Sequence, residues 1–249
     1  YIYIKIIKKL LILLSNMSNV YVLHYTPLED RKKFMDDQLS KQNMIATYVS
    51  EYDREDIRDD DKTIFKYNNN LSLSNSSLIL KHLEAYKKIV NSNQDFGLII
   101  EDDVVLNDDF SEKYLDYYNE LPENWDILFY GDGWRNSLHV PQRVMDELGG
   151  NVFLKCNQGT GIKERNETGW PVCSGSTRCS DCYVIKNETA KKILKYVEQI
   201  KIGKQAKIER PSDLWMNQLF RNIDLKVYWG EPTISTQGTE SGMFKSSHR

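Results

Sequence analysis

Phe96-Gly97-Leu98-Ile99-Ile100-Glu101-Asp102-Asp103-Val104 is an apolar run of strand length that stops abruptly on three consecutive carboxylates. A buried strand of a parallel sheet reads as such a continuous run, and ligands in open α/β sheets sit at the carboxyl ends of these strands. Three adjacent acids repel one another and are costly to desolvate unless they face water or a cation. Hard oxygen ligands suit Mg²⁺ or Mn²⁺, and either ion can in turn hold the phosphates of a substrate. The competing reading is an acidic turn whose side chains face solvent.

Outward from this stretch, helical and strand signals alternate. On the N-terminal side, Ile79, Leu83, Tyr86 and Val90 recur at spacings of one helical face, with N-caps offered by Ser74 to Ser77. Val20 to His24 and Met44 to Val49 read as strands. Between them Thr26 is placed to cap a helix with Pro27 at its first position, carrying Phe34, Met35 and Leu39 inward. Residues 53–63 are heavily charged and read as a solvated loop or short helix. On the C-terminal side, Asp109-Phe110-Ser111 leads a helix that Leu121-Pro122 closes. Trp125 to Tyr130 is a strand ending at Gly131-Asp132-Gly133. Residues 131–178 lack sustained periodicity, as binding loops do. Regularity resumes with a strand at Cys182 to Ile185, a helix capped by Asn187, a helix opened by Pro211-Ser212-Asp213 and a last strand at Leu225 to Trp229. The tail from Glu231 is polar. This is an α/β pattern, with no internal repeat and no linker that demands a second domain.

The chain has 249 residues, 40% hydrophobic and 28% charged, which is ordinary globular composition with ample core. A net charge of −3 provides no basic footprint for nucleic acid. Tyr1 to Leu14 is apolar but interrupted by Lys5, Lys8 and Lys9, too short and too charged for a confident membrane span. Membrane association is therefore expected only through residues 1–14. Residues 1–16 read as an upstream extension or weak anchor before a domain beginning near Met17.

In order and spacing, these signals resemble glycosyltransferase family 25, which includes lipooligosaccharide and collagen galactosyltransferases. The resemblance rests on Val22 to Arg31, on His82 in the helix before the acids, and on Leu98 to Val104. It continues through Trp125-Asp126 to Gly131, Tyr183 to Lys192, and Pro211-Ser212-Asp213. One departure is Lys81, where the family carries Ser before the His. The resemblance implies a GT-A fold: a Rossmann-like, mostly parallel sheet flanked by helices, as one domain over 17–249 with 131–178 as an acceptor-side loop. It also implies transfer of galactose or glucose from a UDP-sugar to a glycan or glycoprotein hydroxyl, with inversion and often with Mn²⁺.

Each residue then has an expected part. Asp103 is the expected direct metal ligand, with Glu101 or Asp102 second. Strand alternation sets 101 and 103 on one side and Asp102 on the other, orienting Asp102 to the donor sugar or to a water beyond the ion's ligands, unless a turn begins here. Inversion needs one general base for the acceptor hydroxyl. Asp213 at a helix start is preferred, and Asp132 beside flexible glycines is the runner-up. His24, Thr26 and Arg31 follow the first strand, where a nucleotide is expected, and Arg31 pairs with phosphate or with a structural acid. Glu51 and Asp53 end the second strand and either bind ribose hydroxyls or solvate a loop. His82, at the border of its helix face, is either a packed residue or a donor contact. Trp134 and Trp170 can stack on acceptor sugar or anchor the loop.

Cys156, Cys173, Cys179 and Cys182 cluster in one window. Cys179-x-x-Cys182 suits a zinc half-site, and two disulfides are equally compatible. A cytoplasmic location is expected with reduced thiols, and a secretory-pathway lumen with disulfides. The rival functions are a catalytically inactive glycan- or partner-binding module of the same fold and a cysteine-braced structural protein.

Overall fold

A computed structural model describes residues 19–131 and 179–246, together with the backbone of 152–154. Among these residues a seven-stranded sheet is built from β1 (Val20–Leu23), β2 (Ala46–Val49), β3 (Phe96–Glu101), β5 (Ile127–Phe129), β6 (Val152–Leu154), β7 (Cys182–Lys186) and β8 (Val227–Gly230), in the order β2-β1-β3-β7-β5-β8-β6. β1 pairs in parallel with β2 and β3, and β5 with β8. β7 is antiparallel to both its neighbours, and β6 is antiparallel to β8. The sheet is therefore mostly parallel in sense, with β7 inserted against the run. Because β7 is reversed, the residues preceding it lie at the same edge as the carboxyl end of β3; the amide of Glu101 donates to the carbonyl of Asp181 at 2.7 Å.

Helices cover both faces. α3 (Leu73–Asn91), α5 (Asn187–Lys201) and α6 (Ser212–Asn222) bury Ile79, Tyr86, Ile193 and Phe220 against one face, on which Ile99 also projects. α1 (Glu29–Lys41) and α4 (Phe110–Glu120) bury Met35, Leu39, Phe110 and Tyr114 on the other, with Leu98 and Ile100. The alternation within β3 thus supplies both cores, as expected of a strand covered on both sides. α3 crosses so closely that a Cβ on Gly97 would stand 2.6 Å from Ile89 and 2.9 Å from Tyr21, which explains the glycine. α2 (Asp59–Lys62) is the short helix of the charged stretch and buries none of its side chains.

Several local expectations are corrected. Thr26 does not cap α1; the amide of Leu28 donates to Tyr25 O in a turn, and α1 starts at Glu29 with no side-chain cap. α3 is capped ahead of the expected Ser74 to Ser77, by a Ser72–Asn75 capping box. Asn187 is the first residue of α5 and ties its start to Ile89 O and Gln94 O at 2.8 and 3.0 Å. The polar tail is also structured. β9 (Ser235–Gln237) pairs antiparallel with β4 (Val104–Leu106), directly after the acids. Among the described residues, no helix is long and apolar enough to cross a membrane.

Candidate active site

The carboxyl ends of β1 and β3, the first turns of α3 and the segment from β9 onward line one cleft, which exposes Glu101, Asp102 and Asp103 to the same space as Arg31, Arg54 and Lys81. The three acids have different surroundings: β3 ends at Glu101, and Asp102 and Asp103 lie in the turn before β4, so the alternation expected of 101 to 103 does not extend through them. Asp102 is buried and accepts from His24 Nδ1 at 2.9 Å, the Tyr25 amide at 3.1 Å and Arg31 Nη1 at 2.8 Å. Burial alone would raise its pKa, but the hydrogen bonds from His24 and Arg31 outweigh that and hold it below the usual carboxylate range.

Asp103 lies in a poorer environment. Its Oδ2 accepts from the Thr239 hydroxyl, and Arg31 Nη1 is 3.9 Å away. Burial first, and the neighbouring Glu101 charge second, push its carboxyl up to about 7. Glu101 is partly exposed at the cleft, its Oε1 accepting from Ser180 Oγ at 2.8 Å. Glu101 and Asp103 are therefore an acid pair short of positive charge. Among the described residues no cluster of three or more His, Cys, Asp or Glu side chains is arranged for a metal. Two carboxylates do fit Mg²⁺ or Mn²⁺ when substrate phosphates complete the shell.

Asp213 opens α6 within the field of Glu101. Burial raises its carboxyl to about 6, Glu101 adds to the rise, and the amide of Leu214 opposes it. Among carboxylates offered as bases, one lifted towards neutrality by its surroundings has the better-matched proton affinity.

The residues expected on the donor side are largely engaged with one another, and of them only Arg31 and Asp102 line the cleft. Arg31, paired with Asp102, also donates Nη2 to Lys245 O at 2.6 Å and lies over the Phe244 ring, so it clasps the segment after β9. Thr26 presents its amide to Asp53 Oδ2 at 3.2 Å. Asp53 is buried against Lys81 Nζ at 2.7 Å, and Lys81 also donates to Glu51 O at 2.8 Å. Burial lowers the Lys81 pKa, opposed by the bond to Asp53. The lysine that departs from the family pattern is thus half of a buried ion pair. Lys81→Met is expected to cost about 3–5 kcal/mol by leaving Asp53 charged and alone, and adding Asp53→Leu should recover most of it. Chemical denaturation of the two variants checks this. His82 is fully buried beneath Glu101, with Nδ1 at 2.8 Å from the Tyr183 hydroxyl.

Asp132, Trp134 and Trp170 lie outside the described residues, as do Cys156 and Cys173. Cys179 and Cys182 are not disulfide-bonded. Cys182 packs in the core and Cys179 contacts Gln237, so the pair does not converge as a zinc half-site would. Burial and the nearby acids raise the Cys179 pKa, which disfavours a thiolate. Sequence reasoning missed Ser180, Gln237 and Thr239; each arrives through strand pairings between distant parts of the chain.

No curated protein sequence matches the chain. A family model does match residues 17–216, from before β1 into α6, and its description is glycosyltransferase family 25, lipopolysaccharide biosynthesis protein. That span holds the acid edge and Asp213 but ends before β9. Coverage of this extent places the chain plainly: it belongs to glycosyltransferase family 25.

Proposed function

We propose that the chain is an inverting, metal-dependent hexosyltransferase of GT-A type, forming one domain over 17–249. It takes galactose or glucose from a UDP-sugar and joins it to a hydroxyl of a glycan or glycoprotein. The observation that carries this reading is the acid pair Glu101–Asp103 opening on the cleft, with Asp213 close enough to feel the charge of Glu101.

Glu101 and Asp103 would hold Mn²⁺ or Mg²⁺, which when bound offsets the charge that develops on the departing diphosphate. Asp102 keeps Arg31 and His24 in place at the end of β1 and does not need to touch the ion. Asp213 takes the proton of the acceptor hydroxyl as that oxygen attacks the anomeric carbon. The bond from that carbon to the diphosphate oxygen breaks on the opposite side, and the electron pair leaves with UDP. A single displacement of this kind inverts the anomeric configuration.

Calorimetry with UDP, with and without Mn²⁺, tests the donor half of this reading. Binding that requires the ion is the expected result, followed by turnover on a panel of UDP-sugars. Equal binding in both conditions would remove the assigned role of the acid pair. Glycan binding that needs no metal and gives no turnover would favour a non-catalytic module.

A further inference from the structure

Beneath the acid edge lies a polar chain that the proposed reaction does not use. Tyr86 of α3 and Tyr183 of β7 are fully buried with hydroxyls 2.7 Å apart, and the Tyr183 hydroxyl is 2.8 Å from His82 Nδ1. Each hydroxyl has one proton to donate. Among the described residues the Tyr86 hydroxyl meets only Tyr183, so its proton goes there. Tyr183 must then donate to His82 Nδ1. That direction makes Nδ1 an acceptor and puts the imidazole proton on Nε2. An imidazolium, or the other tautomer, would leave one of the two tyrosine protons without an acceptor in the core, at the cost of an unpaired buried donor.

His82 Nε2 is buried, has no hydrogen-bond partner, and stands 3.6 Å from Glu101 Oε1. A second chain reaches the same oxygen. Ser180 Oγ is 2.8 Å from Oε1 and 3.1 Å from Ser212 Oγ. An ionised carboxylate only accepts, so Ser180 donates to Glu101 and Ser212 donates to Ser180. Ser212 is the first residue of α6 and adjoins Asp213.

We propose that two polar chains converge on Oε1 of Glu101, Ser212–Ser180 through a hydrogen bond and Tyr86–Tyr183–His82 through the field of the proton carried by Nε2 at 3.6 Å, and turn its Oε2 alone towards the donor site. His82, Tyr183 and Ser180 are then positioning residues, and Glu101 offers one oxygen to the ligand. The chain through Ser212 also ties the donor-side carboxylate to the helix that carries Asp213. What Oε2 meets rests on the transferase reading; the hydrogen-bond direction does not.

The test begins on the whole, ligand-free protein. Nitrogen-resolved NMR of ¹⁵N-histidine-labelled protein, with His82→Gln to assign the signal, should show His82 as the neutral Nε2–H tautomer. In Tyr183→Phe that preference should collapse. An Nδ1–H tautomer or an imidazolium in the wild type at neutral pH would overturn the proposal without reference to activity. Calorimetry with Mn²⁺ and UDP then measures the convergence. Tyr183→Phe and Ser180→Ala should each weaken binding roughly 10-fold, the range seen when groups orienting a ligand are removed. In a Glu101→Gln background both should be silent. Losses that simply add to that of Glu101→Gln would refute the convergence on Glu101. If the expected tautomer is found but the wild type binds no UDP with or without Mn²⁺, the transferase reading fails while the hydrogen-bond assignment stands.

Discussion

Asp213→Asn is expected to reduce kcat by about 10²–10⁴-fold, the range for loss of a general base, with the donor KM nearly unchanged. The asparagine keeps the shape and the helix-start position but cannot take a proton. In the wild type, kcat/KM should rise with pH and level off above an inflection near 6, because burial and Glu101 hold the Asp213 carboxyl at about that value and only its ionised form is a base. The variant should lose that inflection along with its rate. Stability moves the other way. The folded-state pKa lies above the ordinary value of 3.8, so the native state holds the proton more tightly, and this stabilisation is lost as pH rises through about 6. At pH 7 Asp213→Asn should therefore be the more stable protein, by about 1 kcal/mol, well under the full linkage value because water reaches the partly exposed carboxylate. Equal loss in kcat and in donor affinity would instead assign Asp213 to the donor pocket.

Asp103→Asn should weaken Mn²⁺-dependent UDP binding by at least about 100-fold. A neutral amide would replace one of the two proposed protein ligands, and first-coordination losses exceed those of supporting groups. The same variant separates binding from folding. Mn²⁺ at 100 times its Kd should stabilise the wild type by about 2.7 kcal/mol, or roughly 5–10 °C in Tm. Asp103→Asn should show no such shift. Because Asp103 is buried beside Glu101, replacing it also removes a repulsion, so the apo variant should melt no lower than the apo wild type. A variant that melts lower and still responds to Mn²⁺ would make Asp103 a structural residue held by Thr239.

How much of this was legible beforehand follows from the range of each signal. The β3 run and its acids, the inward face of α3 and the opening of α6 at Ser212 are local, and periodicity or a single turn reveals them. The separation of Asp102 from Glu101 and Asp103 comes from the turn that begins after Glu101, not from the strand alternation expected there. What alternation could not show was that Arg31, 71 residues earlier, would meet Asp102. The reversed strand β7 carries Ser180 and Tyr183 to the edge of β3, and nothing in an apolar pentapeptide records its direction. β9 was hidden more thoroughly. Its residues are polar, they pair with the backbone of β4, and Thr239 reaches Asp103 across 136 residues. Thr26-Pro27 misled because a Thr-Pro pair fits a turn as well as a helix start.

The late position of β9 in the chain also sets the order in which the cleft is assembled. The acids of β3 leave the ribosome long before the hydroxyl that partners one of them. The 136 residues between Asp103 and Thr239 take roughly 7 to 27 s to synthesise at typical elongation rates. Through that interval the nascent chain carries its acid pair with one wall missing, and Arg31 has no Lys245 or Phe244 to clasp. The wall made by the segment after β8 is thus the last part of the cleft to be synthesised, just behind β8 itself.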